Sequence, residues 1–170
     1  MKKTSVLLPG TFDPPTRGHY AVIEEASRRF DEVRVVIFVN PDKTCLFPLS
    51  DRLEFLRLAT AGLPNVTVGS SEGLVADYVR ENGLSFIVKG VRTERDYLYE
   101  REMADWNAEH GAKTFLFPAP AAVREISSTE LRLRLERVTK MREIQIMVLV
   151  IQQEILQLIR VVIQIQLIQA

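Results

Sequence analysis

Cysteine is nearly missing: Cys45 stands alone in a chain of 170 residues. One thiol can neither close an internal disulfide nor build a cysteine-based zinc site, and a lone thiol is the usage of a reducing compartment, so a cytoplasmic protein is expected. Charge of one sign is missing too. The 22 Lys and Arg balance the 22 Asp and Glu, which leaves no basic footprint for nucleic acid. A secretory leader is not expected, because the apolar run of MKKTSVLLPG is short and Pro9-Gly10 end it. Histidine is scarce, with only His19 and His110. The last absence is local: every one of the 8 glycines and 8 prolines lies at or before Pro120. Residues beyond it need a separate reading. The rest, 46% apolar and 26% charged, is ordinary for a soluble globular protein, and the length suits one domain with a real core.

Up to Pro120, two patterns alternate. TSVLL (4–8), VRVVIFV (33–39), NVTV (65–68), SFIVKG (85–90) and KTFLF (113–117) are short β-branched or aromatic runs and predict buried strands. Between them, 19–30, 50–62, 71–83 and 94–111 carry helical spacing. Ser50 reads as an N-cap and the glycines as helix stops. His110 reads as a surface residue complementing the negative end of its helix. Strand–helix alternation predicts βαβ units and a parallel sheet covered on both faces. Such sheets bind ligands at the carboxyl ends of their strands.

The polar segments fall near those ends. After the first strand, PGTFDPPTRGHY leads into a helix at Gly18-His19. Unpaired N–H groups at a helix start suit a phosphate, and His19 and the Thr11 hydroxyl would face the same place. On its own, His19 reads rather as a surface histidine at a plain βα turn. After the second strand, NPDKTCLFPLSDR places Lys43 on a loop; alone it is a solvated lysine. EGLVADYV (72–79) reads as a buried helix face. IVKGVRTERDYLYERE (87–102) sets Lys89 and Arg92 around Gly90, which permits close backbone approach. AAVREISSTELR (121–132) reads as a helix start with a Ser127/Glu130 capping box.

Taken together, G-T-F-D-P-x-x-x-G-H resembles the T/H-x-G-H signature of the nucleotidyltransferase superfamily, in the form found in bacterial phosphopantetheine adenylyltransferases. Pro41, Lys43, Phe47 and Arg52, then Gly90, Arg92, Asp96, Tyr99 and Glu100, then Ile126 to Thr129, keep that family's order. Lys89 stands where the family has arginine, keeping the charge but losing the bidentate fork. Val123 stands where an aromatic is frequent.

The resemblance implies a Rossmann-like α/β fold with a doubly wound parallel five-stranded sheet. It implies transfer of the adenylyl group of ATP to 4′-phosphopantetheine, giving dephospho-CoA and pyrophosphate. His19, Thr11, Lys43 and Arg92 would be catalytic. Gly10, Thr11, Phe12, His19, Gly90, Val91, Arg92 and Glu100, with Val123, Arg124, Glu125, Ile126, Ser127, Ser128 and Thr129, would hold ATP. Thr11, Lys43, Leu74, Val75 and Lys89 would hold the acceptor. Mg²⁺ would travel with the triphosphate, bound mainly by phosphate and water. The family also implies self-association as trimers or hexamers.

The resemblance ends near residue 132. The expected division is a nucleotidyltransferase domain over 1–138 and an apolar helical segment over 139–170. Met141, Val148, Ile155 and Val162 share one heptad position, and Ile144, Ile151, Leu158 and Ile165 share its partner. Leu149, Leu156 and Ile163 extend the apolar surface around the helix, so it must be buried in something. Seven glutamines argue against a membrane span. The expectation is a long helix outside the family pattern, of designed composition, that joins copies of the chain.

Overall fold

A computed structural model describes residues 3–123 and 127–141, together with residue 157. The strands are β1 (Ser5–Gly10), β2 (Glu32–Val39), β3 (Val66–Glu72), β4 (Phe86–Val91) and β5 (Lys113–Pro118). The α-helices are α1 (Arg17–Arg29), α2 (Leu49–Thr60), α3 (Val75–Glu81), α4 (Glu94–Glu109) and α5 (Ser128–Met141). A 3₁₀ turn covers Ala121–Val123. All strand pairs are parallel, in the order β3-β2-β1-β4-β5. This is the expected doubly wound, Rossmann-like α/β sheet.

Alternation along the strands sorts the core into two layers. Val6 and Leu8 of β1 face one side with Val33, Val35 and Ile37 of β2, against Val22, Ile23 and Ala26 of α1. Leu7 and Val36 face the other side with Ile87 of β4 and Val79 of α3. The winding reverses at β1, which has β2 on one side and β4 on the other. The loops after β1 and β4 therefore flank the crevice where such sheets take ligands.

Two expected elements shift. The helix expected from residue 71 starts at Val75, because β3 runs on to Glu72 and pairs Ser70, Ser71 and Glu72 with Ile37, Phe38 and Val39. Ladder pairing with β2 overrides the polar side chains there, and Gly73, at φ +89°, makes the break. Ser50 is not the cap of α2. Pro48 holds that position, and the Ser50 hydroxyl donates to Asp51 at 3.0 Å instead. His110 stands at the end of α4 as expected, exposed, with Nδ1 2.8 Å from the Trp106 carbonyl. α5 crosses the expected boundary at 138/139 without a break. Most of the heptad positions, from Ile144 to Ile165, lie outside the described residues. Among the described residues no helix is long and apolar enough to cross a membrane.

Candidate active site

The loop after β1 is built around a buried phenylalanine. Phe12 is 2% exposed and holds a φ of 49°, a left-handed conformation kept in place by that burial. A Cβ on Gly10 would sit 2.7 Å from the Phe12 ring, so glycine is required there. The Phe12 ring packs edge-on against His19 at 5.0 Å. Phe12, expected at the nucleotide, thus turns its ring to the core and supports His19.

α1 fixes the orientation of His19. Thr16 caps the helix by accepting from the His19 N–H at 3.3 Å, and its own N–H donates to His19 Nδ1 at 3.0 Å. An Nδ1 that accepts leaves the ring proton on Nε2. Burial, with Arg92 nearby as a smaller cause, lowers the imidazole to a pKa of about 4. His19 is therefore a neutral donor at pH 7, with Nε2–H as its free end. The unfolded chain takes up that proton near 6.5 and the folded chain only near 4. The unfolded state binds more protons in between, so stability falls as pH drops through that window. Replacement by glutamine (His19→Gln) is expected to flatten this part of the curve, read by urea unfolding at pH 7 and 4.5. An unchanged slope would assign the titration to another group.

Thr11 and Lys43 meet at a cavity of about 350 Å³ beyond the ends of β1 and β2, lined also by Asn40, Cys45, Phe47 and Arg52. Lys43 is exposed on its loop. Arg52 is 5% exposed and donates through Nη1 to the Thr11 carbonyl at 2.8 Å, and its Nε has no hydrogen-bond partner among the described residues. Asp13 is 3% exposed and accepts the N–H groups of Leu46 and Phe47 at 2.8 and 2.9 Å. It thereby ties the loop of Lys43 to the loop of Thr11.

At β4 the expected cations already have carboxylate partners. Lys89 lies 3.4 Å from Glu100, and Arg92 lies 3.3 Å from Asp96. A phosphate at Lys89 would share it with Glu100, which the resemblance had set at the nucleotide. Val91 is buried. What closely approaches Gly90 is α1: a Cβ there would sit 2.8 Å from Val22 Cγ2. Gly90→Ala is expected to cost about 1–3 kcal/mol by overpacking. Urea unfolding of Gly90→Ala, Val22→Ala and the double variant should show less than additive loss.

The residues expected along the acceptor arm separate. Leu74, expected within a buried helix face, is instead 62% exposed at the cap of α3, because the chain is still leaving Gly73 there. Val75 packs on the second core layer. Val123 ends the 3₁₀ turn, half-buried. Arg124, Glu125 and Ile126 lie outside the described residues.

At the start of α5, Ser127 accepts from the Glu130 N–H at 3.0 Å. The Glu130 carboxylate does not complete the expected box, because it pairs with Arg134 at 2.9 Å. The Ser128 hydroxyl donates to the Pro14 carbonyl at 2.7 Å, and Arg132 donates to the Asp13 carbonyl at 2.5 Å. The first loop is thus the common partner of the Lys43 loop, α2 and α5. Asp13, Arg52 and Arg132 were not among the expected site residues. Arg52 did leave a sign: Leu49, Leu53 and Leu56 place it on the apolar side of α2.

Residues 7–134 match the family described as cytidylyltransferase-like. The chain belongs to that family. Its fold is shared by two solved structures at low identity. The lipopolysaccharide core biosynthesis protein from Thermoplasma volcanium is 21% identical, with a TM-score of 0.51 over 70% of this chain and 98% of that one. The nicotinic acid mononucleotide adenylyltransferase of Plasmodium falciparum, complexed with NaAD, is 17% identical, with a TM-score of 0.57 over 79% of this chain and 84% of that one. For a cytidylyltransferase-like chain, the crevice between β1 and β4 is the place where nucleotidyl transfer is to be sought.

Proposed function

We propose that this chain transfers the adenylyl group of ATP to 4′-phosphopantetheine, releasing pyrophosphate. The observation that carries the reading is His19: a neutral imidazole with its tautomer set by Thr16, at the foot of α1 beside the switch point of the sheet. In the reaction an oxygen of the acceptor phosphate attacks the α-phosphorus, and the bond to the β-phosphate oxygen breaks. Two anions must meet, so orientation and charge stabilisation supply most of the acceleration. His19 Nε2–H would donate to the α-phosphoryl oxygens as charge builds on them. Thr11 and Lys43, which line the cavity, would hold the acceptor phosphate. Arg92 and the N–H groups at the start of α5 would hold the leaving pyrophosphate, with ATP entering as its Mg²⁺ complex. Cys45 lines the same cavity, and among the described residues no histidine lines it beside Cys45, which favours direct displacement over a covalent intermediate.

A pyrophosphate-release assay tests this reading. ATP with 4′-phosphopantetheine should give rapid release. Release only with CTP, or only with a nicotinate mononucleotide acceptor, would move the chain to a sister activity within the family. The reading includes self-association. α4 leaves Tyr97, Leu98, Tyr99, Met103 and Trp106 exposed, an apolar surface that suits a partner, and the glutamine-rich apolar segment after 139 would add a designed contact between copies. Light scattering on the chain with and without residues 140–170 checks the second part, and an unchanged oligomer size would reject it.

A further inference from the structure

We propose that Asp13 and Arg132 form a clasp that positions the acceptor loop from the nucleotide side, so that Arg132, on α5, sets the affinity for the acceptor at the Lys43 cavity. The inference rests on the reading of α5 as the triphosphate-facing helix.

The loop from Asn40 to Pro48 carries Lys43 and is mostly exposed. Among the described residues, its hydrogen bonds to other elements are the Leu46 and Phe47 N–H groups on Asp13, at 2.8 and 2.9 Å, and, at its far end, the Pro48 carbonyl accepting from the Arg52 N–H of α2 at 3.2 Å. Asp13 is thus the side-chain anchor in the middle of the loop that carries Lys43. Asp13 is almost fully buried, and a buried carboxylate needs a counter-charge or further donors. Arg132 supplies the charge, with Nη1 3.7 Å from Asp13 Oδ2. The same nitrogen donates to the Asp13 carbonyl at 2.5 Å, while Nη2 reaches Thr129 at 3.1 Å. One guanidinium thus spans the first loop and the first turn of α5. Ser128, on the Pro14 carbonyl at 2.7 Å, runs parallel to it. On the opposite side Arg52 holds the Thr11 carbonyl at 2.8 Å.

Residues 11–14 are therefore pinned from both flanks. An ion pair between a buried Asp13 and a partly exposed Arg132 adds little net stability, but the guanidinium fork fixes geometry. The groups it brings into register are those that must meet two phosphates. Lysine could supply the charge of Arg132 but not the fork that spans two partners. Arg132 is thus a positioning residue, acting through Asp13, and need not touch the acceptor.

The test uses the full chain with Arg132→Met and Arg132→Lys. Amide hydrogen exchange at Leu46 and Phe47 should rise by about tenfold or more in Arg132→Met while β2 amides stay unchanged. Unchanged exchange at these two amides would overturn the clasp, whatever the chain's substrate. In pyrophosphate release, the acceptor KM should rise by about tenfold in Arg132→Met, more than the KM for MgATP. Arg132→Lys should recover only part of it. In a Lys43→Ala background, Arg132→Met should add almost nothing to the acceptor KM. An effect confined to MgATP, or full additivity with Lys43→Ala, would overturn the proposal. No release by the wild-type chain with any acceptor would instead overturn the functional reading, leaving the exchange result to decide the clasp. If Arg132→Met does not fold, exchange and KM in Arg132→Lys decide alone: values matching wild type count against the clasp.

Discussion

His19→Ala is expected to lower kcat by about 10²- to 10³-fold while the Kd for MgATP changes by less than about threefold, because only a contact that strengthens in the transition state accelerates the chemical step. The α-phosphorus becomes five-coordinate as the acceptor oxygen arrives, and its equatorial oxygens gain charge. A donor already aimed there needs no reorganisation. His19 meets that requirement through its surroundings. Thr16 accepts from its backbone N–H and donates to Nδ1, the Phe12 ring buttresses it at 5.0 Å, and burial keeps it neutral at pH 7. His19→Asn keeps a donor of shorter reach and should retain more activity than alanine. Loss of the histidine side of the cap should cost α1 no more than about 1 kcal/mol, so a folded variant is expected. Turnover equal to wild type would remove His19 from the chemistry.

The largest expected effect on stability belongs to Asp13. Asp13→Ala should lower the unfolding free energy by about 2–4 kcal/mol, at about 1–3 kcal/mol for each N–H group left without its acceptor. It strands the N–H groups of Leu46 and Phe47 and leaves Arg132 without its carboxylate. Asp13→Asn keeps the volume and one acceptor oxygen, and should lose about 1–3 kcal/mol. Urea unfolding with an unchanged m-value reads both. Total stability for a domain is only about 5–15 kcal/mol, so the alanine variant should be visibly marginal. A loss below about 1 kcal/mol would mean that the N–H groups find water and that Asp13 holds nothing in place.

Much of the architecture was legible because hydrophobicity and backbone geometry agree. VRVVIFV is buried on both faces of the sheet and reads as a strand under any arrangement. β3 was read short because Ser70, Ser71 and Glu72 carry no apolar signal; only their pairing with Ile37, Phe38 and Val39 makes them a strand. Serine caps well in isolation, which suggests Ser50, yet the cap position falls on Pro48, two residues earlier. At the site, the His19 environment is local: Thr16 stands three residues away, within reach of sequence reasoning. The Arg132–Asp13 contact joins residues 119 apart, and no spacing rule reports it. Nor does sequence show that Gly90 makes room for Val22, since the same glycine suits a ligand or a helix equally well. The pairing of Lys89 with Glu100 is hidden for a similar reason: a strand residue and a helix residue meet only after the fold is set.

The most direct test of the account is the ¹⁵N spectrum of the His19 imidazole, followed from pH 4 to 8 with and without MgATP. The account predicts a neutral ring protonated at Nε2 down to a pH near 4, and a shift of that nitrogen when MgATP binds. An imidazole that titrates at its ordinary pKa near 6.5, carries its proton on Nδ1, or ignores MgATP would contradict it.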